Sequence, residues 1–212
     1  MDSIRSCYKG GIDKLKEDKD NITVYSVVMH MIQRIEVLQK EGSQGTAILA
    51  SIRNTVGKSF LDAENIWPFV FQNTPKEFLS VNGTPTKEEN AIYIALQLYA
   101  ISKQGTSDHV ISDSSYKYSI GKSLSSGREE GDSKALDRRF NAMIASETIE
   151  ELSWNLRQIV KVVKAKHTMK VNFPKLADDL FWFQKGFKRK ICFRWATEYY
   201  SMSDDTISRE EN

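Results

Sequence analysis

The chain has 212 residues, 40% hydrophobic and 27% charged, with a formal net charge of +2, an ordinary make-up for one globular domain or two small ones. Nothing in it approaches the ~18 uninterrupted apolar residues of a membrane span, and the opening "MDSIRSCYKGGIDKLKEDKD" has no apolar signal core, so a cytoplasmic protein is expected. Cys7 and Cys192 stand at opposite ends, which argues against a disulfide framework or a zinc site.

Nearly every periodic segment reads as helix. Ile22–Lys40 sets Val24, Val27, Val28, Met31, Ile35 and Leu38 on one stripe, with Gly42 and Gly45 as its stop. Thr46–Val56 is a shorter helix with Ile48, Leu49, Ile52 and Val56 inward and Gly57 as its cap. "NIWPFVFQNTP" is apolar and broken by Pro68 and Pro75, so a buried, turn-rich connection is expected there. Thr86 and Glu89 have capping-box spacing at the head of the next helix. Its apolar residues, Ala91 through Ile101, cover almost the whole circumference, as in a helix buried on all sides.

The stretch "GTSDHVISDSSYKYSIGKSLSSGREEGDS" is rich in serine, glycine and aspartate and reads as a linker with room for one short helix. Four helices follow: Lys134–Ala145, Ile149–Lys166, Phe173–Gln184 and Phe187–Tyr200. Thr148 with Glu151 caps the second, Pro174 suits the first turn of the third, and Gly186 separates the last two. The expected fold is all-α: a helical bundle over 1–127 and a basic one over 128–212 that ends in a polar tail.

Charge is unevenly spread. From Lys134 to Tyr200 there are 14 lysines and arginines against 7 acids, whereas residues 1–133 hold 15 against 17. A basic segment in a nearly neutral protein is the footprint of a polyanionic partner. On Lys134–Ala145 the stripe Leu136, Phe140, Met143, Ile144 faces inward. Arg138 falls nearly opposite, beside small residues, while Arg139 falls at the stripe's edge, where its stem is expected to pack. On Ile149–Lys166, Arg157, Lys161 and Lys164 form a row at i, i+4, i+7 with Trp154 alongside. Like charges so placed repel; a row without interleaved acids beside an aromatic suits a phosphate backbone, with a merely solvated face as the equal alternative for this helix alone. The last helix is expected to bury Phe187, Ile191, Trp195 and Tyr199, leaving Lys190 and Arg194 one turn apart, with Glu198 in reach of Arg194.

Catalytic chemistry is hard to assemble. "GKS" occurs at 57–59 and 121–123, but a phosphate-binding loop needs a further glycine five residues upstream, where Ile52 and Tyr116 stand. His30, His109 and His167 have no ligand-spaced neighbour. Asp178 and Asp179 diverge by about 100° on a helix and cannot readily share one metal. No cofactor and no metal are expected.

The succession "AILASIRNTVGKSF", "IWPFVF", "TKEENAIYIALQLYAISKQ", "SIGKSL", "LDRRFNAMIASETIEELSWNLRQIVKVVKAK", "VNFPKLADDLFWFQ" and "CFRWATEYY" resembles CasB, the small subunit of the type I-E CRISPR surveillance complex Cascade. The resemblance runs from about Gln44 to Tyr200, and the RRFNA block with the LADDLFWFQ and RWA-x-x-YY elements is its most specific part. It implies an all-helical, non-catalytic protein of two small bundles, present as two copies in a complex of antiviral defence. Its partners would be the other Cascade subunits, the guide RNA–target DNA duplex and the displaced strand. The basic residues it matches are Arg53, Lys58, Lys122, Arg138, Arg139, Arg157 and Arg194; Lys161 and Lys164 are added by the helical wheel alone. In such a complex base pairing reads the sequence, so the subunit needs only charge and shape. The competing reading is an adaptor whose basic faces dock acidic protein surfaces, with a GKS-dependent enzyme third.

Overall fold

The computed structural model describes residues 22–106, 119–128, 133–165 and 169–201. Their regular structure is helical, and among the described residues there is no extended strand. The elements are α1 (Val24–Glu41), α2 (Gln44–Asn54), α3 (Trp67–Asn73), α4 (Lys87–Lys103), α5 (Ile120–Ser125), α6 (Ser133–Ile144), α7 (Ile149–Lys164), α8 (Phe173–Trp182) and α9 (Lys188–Tyr200). By contacts they divide into two compact units. One holds the described residues up to Gln104 with Phe173–Phe181; the other holds those of 105–172 and from Trp182 onward.

In the first unit α4 is the axis. Residues 91–102 are buried on every side, against α1 and α2, as the all-round apolar pattern requires. Its N-terminus carries a reciprocal capping box: the Glu89 N–H donates to Thr86 Oγ1 (3.0 Å) and the Thr86 N–H to Glu89 Oε2 (2.8 Å). The other oxygen of Glu89 accepts from the Ser80 N–H at 3.3 Å, which explains why a carboxylate only 2% exposed is tolerated. α1 ends at Gly42, but Gly45 is no stop: it lies inside α2, pressed onto the α1 backbone at Ile35 and Gln39, with no space for a Cβ. The expected turn-rich connection contains a real helix, α3, because Pro68 falls in its first turn, where the missing N–H is not needed.

In the second unit α5 packs on α9, and α6 on α7. Much of the expected serine/glycine-rich linker lies outside the described residues, but α5 sits within it, capped by Ser119, whose oxygen accepts from the Lys122 N–H. α7 buries Leu152, Leu156, Ile159, Val160 and Val163, and Thr148 Oγ1 accepts the Glu151 N–H at 3.2 Å. The Glu151 carboxylate reaches past the cap to the Glu147 N–H (2.8 Å). α9 buries Ile191, Cys192, Trp195 and Tyr199. Phe187, expected inward, is 48% exposed, because the chain kinks at Gly186 and the ring packs edge-on against Trp182 instead.

Candidate nucleic-acid interface

The inner face of α6 is fixed by the end of α9. Phe140 stacks flat on Tyr199, centroids 3.7 Å apart and planes 5° from parallel. The Tyr199 hydroxyl donates to Asp137 Oδ1 (2.8 Å), and Arg128 Nε donates to the same oxygen (3.0 Å). The Arg128 guanidinium also lies 5.2 Å from the ring centres of both Tyr199 and Tyr200, and Tyr200 donates to Asn141 Oδ1 at 2.9 Å. Burial first, then the bond to Asp137, drives the Tyr199 phenol pKa upward, so the hydroxyl stays a donor. This knot leaves α6 little freedom to roll.

With the inner face held, the outer face is determined. Ala135 and Ala142 fall between Arg138 and Arg139, since residues advance about 100° around a helix. Those four residues form one wall of a groove of about 610 Å³; Trp154, Asn155 and Gln158 of α7 form the other. Trp154 is 56% exposed. Among the described residues no carboxylate lines the groove. Asn155 is held by Nδ2 donation to Ser146 Oγ at 3.0 Å.

Arg139 departs from expectation. It is exposed, like Arg138, rather than packed at the core boundary. Each arginine donates to a carbonyl one turn back on its own helix, Arg138 Nε to Lys134 at 3.3 Å and Arg139 Nη1 to Ala135 at 3.2 Å. The stripe of Leu136, Phe140 and Met143 is narrow, and Arg139 lies just outside it.

The remaining candidates are distributed. Arg157, Lys161 and Lys164 share α7, with Lys161 exposed and Arg157 held by the Ser153 hydroxyl. Lys122 and Arg194 stand on the α5–α9 pair, each adjacent to the point where Gly121 meets Trp195. Glu198, within reach of Arg194 on the wheel, accepts a hydrogen bond from Ser119. Arg53 and Lys58 belong to the first unit, flanking a turn held by α4: the Tyr93 hydroxyl donates to the Thr55 carbonyl (3.0 Å), and Gln97 Nε2 to the same oxygen (2.6 Å). Sequence reasoning missed Ala135, Asn155 and Gln158 as groove residues and Arg128 as a support. Ala135 was readable from its seven-residue spacing to Ala142; the other three need the tertiary fold.

Both GKS glycines have structural reasons. Gly57 takes a φ of 91° in a turn closed by the Lys58 N–H donating to the Thr55 carbonyl, a conformation glycine adopts at little cost. Gly121 lies against the α9 backbone: a Cβ there would sit 3.0 Å from Trp195 Cα and closer still to its carbonyl oxygen. Among the described residues no group of histidine, cysteine, aspartate or glutamate side chains gathers to hold a metal. Lys175 Nζ lies 2.5 Å from Asp179 and 3.7 Å from Asp178, so one lysine serves both acids. His30 is partly buried, and that burial, with Arg34 nearby, lowers its pKa; His109 and His167 fall outside the described residues. Among the described residues no helix is long and apolar enough to cross a membrane.

Comparison with known proteins gives a consistent picture. The family model for the CRISPR-associated protein Cse2 matches residues 48–200. No curated protein matches the sequence. Two crystal structures share the fold. CasB from Thermobifida fusca aligns with a TM-score of 0.63 at 21% identity, over 85% of this chain and 100% of its own. CasB from M. ruber aligns with a TM-score of 0.60 at 18% identity, over 90% and 98%. The chain belongs to the CRISPR-associated Cse2/CasB family, the non-catalytic small subunit of the type I-E Cascade complex.

Proposed function

We propose that this subunit holds nucleic acid by its phosphate backbone, without reading sequence, and so stabilises the guide RNA–target DNA duplex and the displaced strand. It acts in the cytoplasm, as two copies within Cascade. The observation that carries the reading is the α6–α7 groove: two exposed guanidinium groups face it and, among the described residues, no carboxylate lines it. Guanidinium groups pair with phosphate oxygens in a fork geometry. The row Arg157, Lys161, Lys164 on α7 and the pair Lys122, Arg194 extend the positive surface of the same unit. Arg53 and Lys58 supply a second basic point in the first unit. In an RNA-guided complex base pairing with the guide carries the sequence information, so charge and shape suffice.

The test is a titration of the full chain with non-cognate single-stranded DNA over a range of salt. With about 4 phosphates neutralised, log affinity should fall against log salt with a slope near −3. The double variant Arg138→Glu/Arg139→Glu should lower that slope by about 1.4, since each lost contact removes about 0.7. A flat salt response, or strong preference for one sequence, overturns the reading. Defective Cascade assembly with unchanged nucleic-acid binding would favour the docking of acidic protein surfaces instead.

A further inference from the structure

We infer that the α6–α7 groove is a nucleobase subsite: one unstacked base of a single strand lies on the Trp154 ring while Arg138 and Arg139 hold the adjoining phosphates. The inference rests on the proposed backbone binding but goes further, because backbone binding alone needs no ring and no cavity. Three observations carry it. Trp154 is 56% exposed on a helix that buries Leu152, Leu156, Ile159, Val160 and Val163, and it lines a concave space rather than a flat surface. That space, about 610 Å³, falls within the range of small-ligand sites, about 300–1,000 Å³. The wall facing the indole is made of Ala135 and Ala142, which leave width for a flat group, and the cations stand at either side of them.

The groove thus offers an aromatic face, an amide at Gln158 to meet a base edge, and paired cations for phosphate. An acidic peptide would satisfy the arginines but not the ring. A duplex would satisfy the arginines but keeps its bases stacked out of reach. A single strand satisfies all three, since every base has a π-face and stacking on an aromatic is tolerant of sequence. The occupant is therefore a stretch of unpaired strand, not the paired heteroduplex.

The experiment compares two probes of equal length and charge, a thymidine 20-mer and a 20-mer of abasic spacers, titrated against the full-length protein. Wild-type protein should bind the base-bearing strand about tenfold more tightly, the scale of one aromatic–base stack. Trp154→Leu, which keeps apolar bulk but not the stacking face, should lose that preference and bind both strands as wild type binds the abasic one. Trp154→Phe should retain part of it, which separates lost stacking from misfolding. Arg138→Glu should weaken both probes alike. Equal affinity of wild type for the two strands, with Arg138→Glu still weakening both, overturns the subsite and leaves backbone binding standing. If Arg138→Glu weakens neither strand, backbone binding through this groove falls, and the subsite with it.

Discussion

Replacing Gly121 with alanine tests whether the second GKS glycine is a packing residue. α5 lies on α9 so closely that a Cβ at this position would stand 3.0 Å from the Cα and carbonyl carbon of Trp195, and nearer still to the carbonyl oxygen. Those are backbone atoms, and Trp195 is fully buried, so neither side yields by rotating a side chain. The helices must separate or slide, and the cost of forcing one methyl into such a contact is about 1–3 kcal/mol. In a chain of this length each kcal/mol lowers the melting temperature by about 2–4 °C. A shift of about 4–8 °C is expected at the middle of that range. The control is Gly42→Ala, because Gly42 has an extended backbone (φ 169°) and its added Cβ meets nothing within 4 Å. Thermal unfolding followed by near-ultraviolet dichroism, which reports on Trp195, is the assay. If the two variants melt together, the close approach of α5 and α9 is not what selects glycine. Gly121→Ala should also disturb Lys122 and Arg194, which flank the contact point, and so weaken nucleic-acid binding without removing a charge.

Two further outcomes follow from the geometry. Arg138→Glu and Arg139→Glu should each change stability by about 0.5 kcal/mol or less, the usual scale for exposed sites, since among the described residues both side chains bond to carbonyls of their own helix alone; a much lower melting temperature for Arg139→Glu alone would put that residue back at the core boundary. Burial raises the pKa of the Tyr199 phenol above its ordinary 10.0 and of the Cys192 thiol above 9.0, so the folded state holds these protons more tightly than the unfolded one. Their contribution to stability is complete below about pH 9 and is lost as pH rises through the raised values. Melting temperatures from pH 8 to 11 should fall at the alkaline end, and more gently in Tyr199→Phe; a parallel decline in that variant would refute the assignment to this phenol.

The helices were legible because their signals are local. Valine and isoleucine at helical spacing define α1, and Thr86 with Glu89 marks the start of α4 in any context. Where the signal was tertiary, the sequence misled. Pro68 reads as a breaker, yet in a first turn it costs nothing. Gly45 reads as a stop, but its role is to let α2 touch α1. Phe187 continues the heptad-like spacing of Ile191 and Trp195, but the kink at Gly186 turns it out of register. That Phe173–Phe181 groups with the first unit, although it follows the basic helix α7, is a matter of long-range contact with no local trace. The candidate site divides the same way. Its cations were countable from sequence; the groove was not, because it exists only where α6 and α7 lie side by side.

Two adjacent arginines on a helix ordinarily diverge and serve different surroundings. On α6 the divergence is what makes the site. About 100° of separation carries Arg138 and Arg139 to the two sides of the Ala135–Ala142 wall, a span that arginines at i, i+4, stacked on one line, would not bridge. The positions are useful only if α6 is held at one rotation, and the opposite face supplies that restraint through Phe140 on Tyr199 and the shared bonds to Asp137. The guanidinium groups repel each other, and among the described residues no acid lines the groove between them. Exposure to water keeps that repulsion small, and under the proposed binding a phosphate chain would convert it into attraction. Under the proposed reading stability and recognition are thereby assigned to opposite faces of one 12-residue helix. The RRFNA and RWA-x-x-YY blocks, more than 50 residues apart in the chain, are one device: the tyrosines of the second set the direction in which the arginines of the first must point.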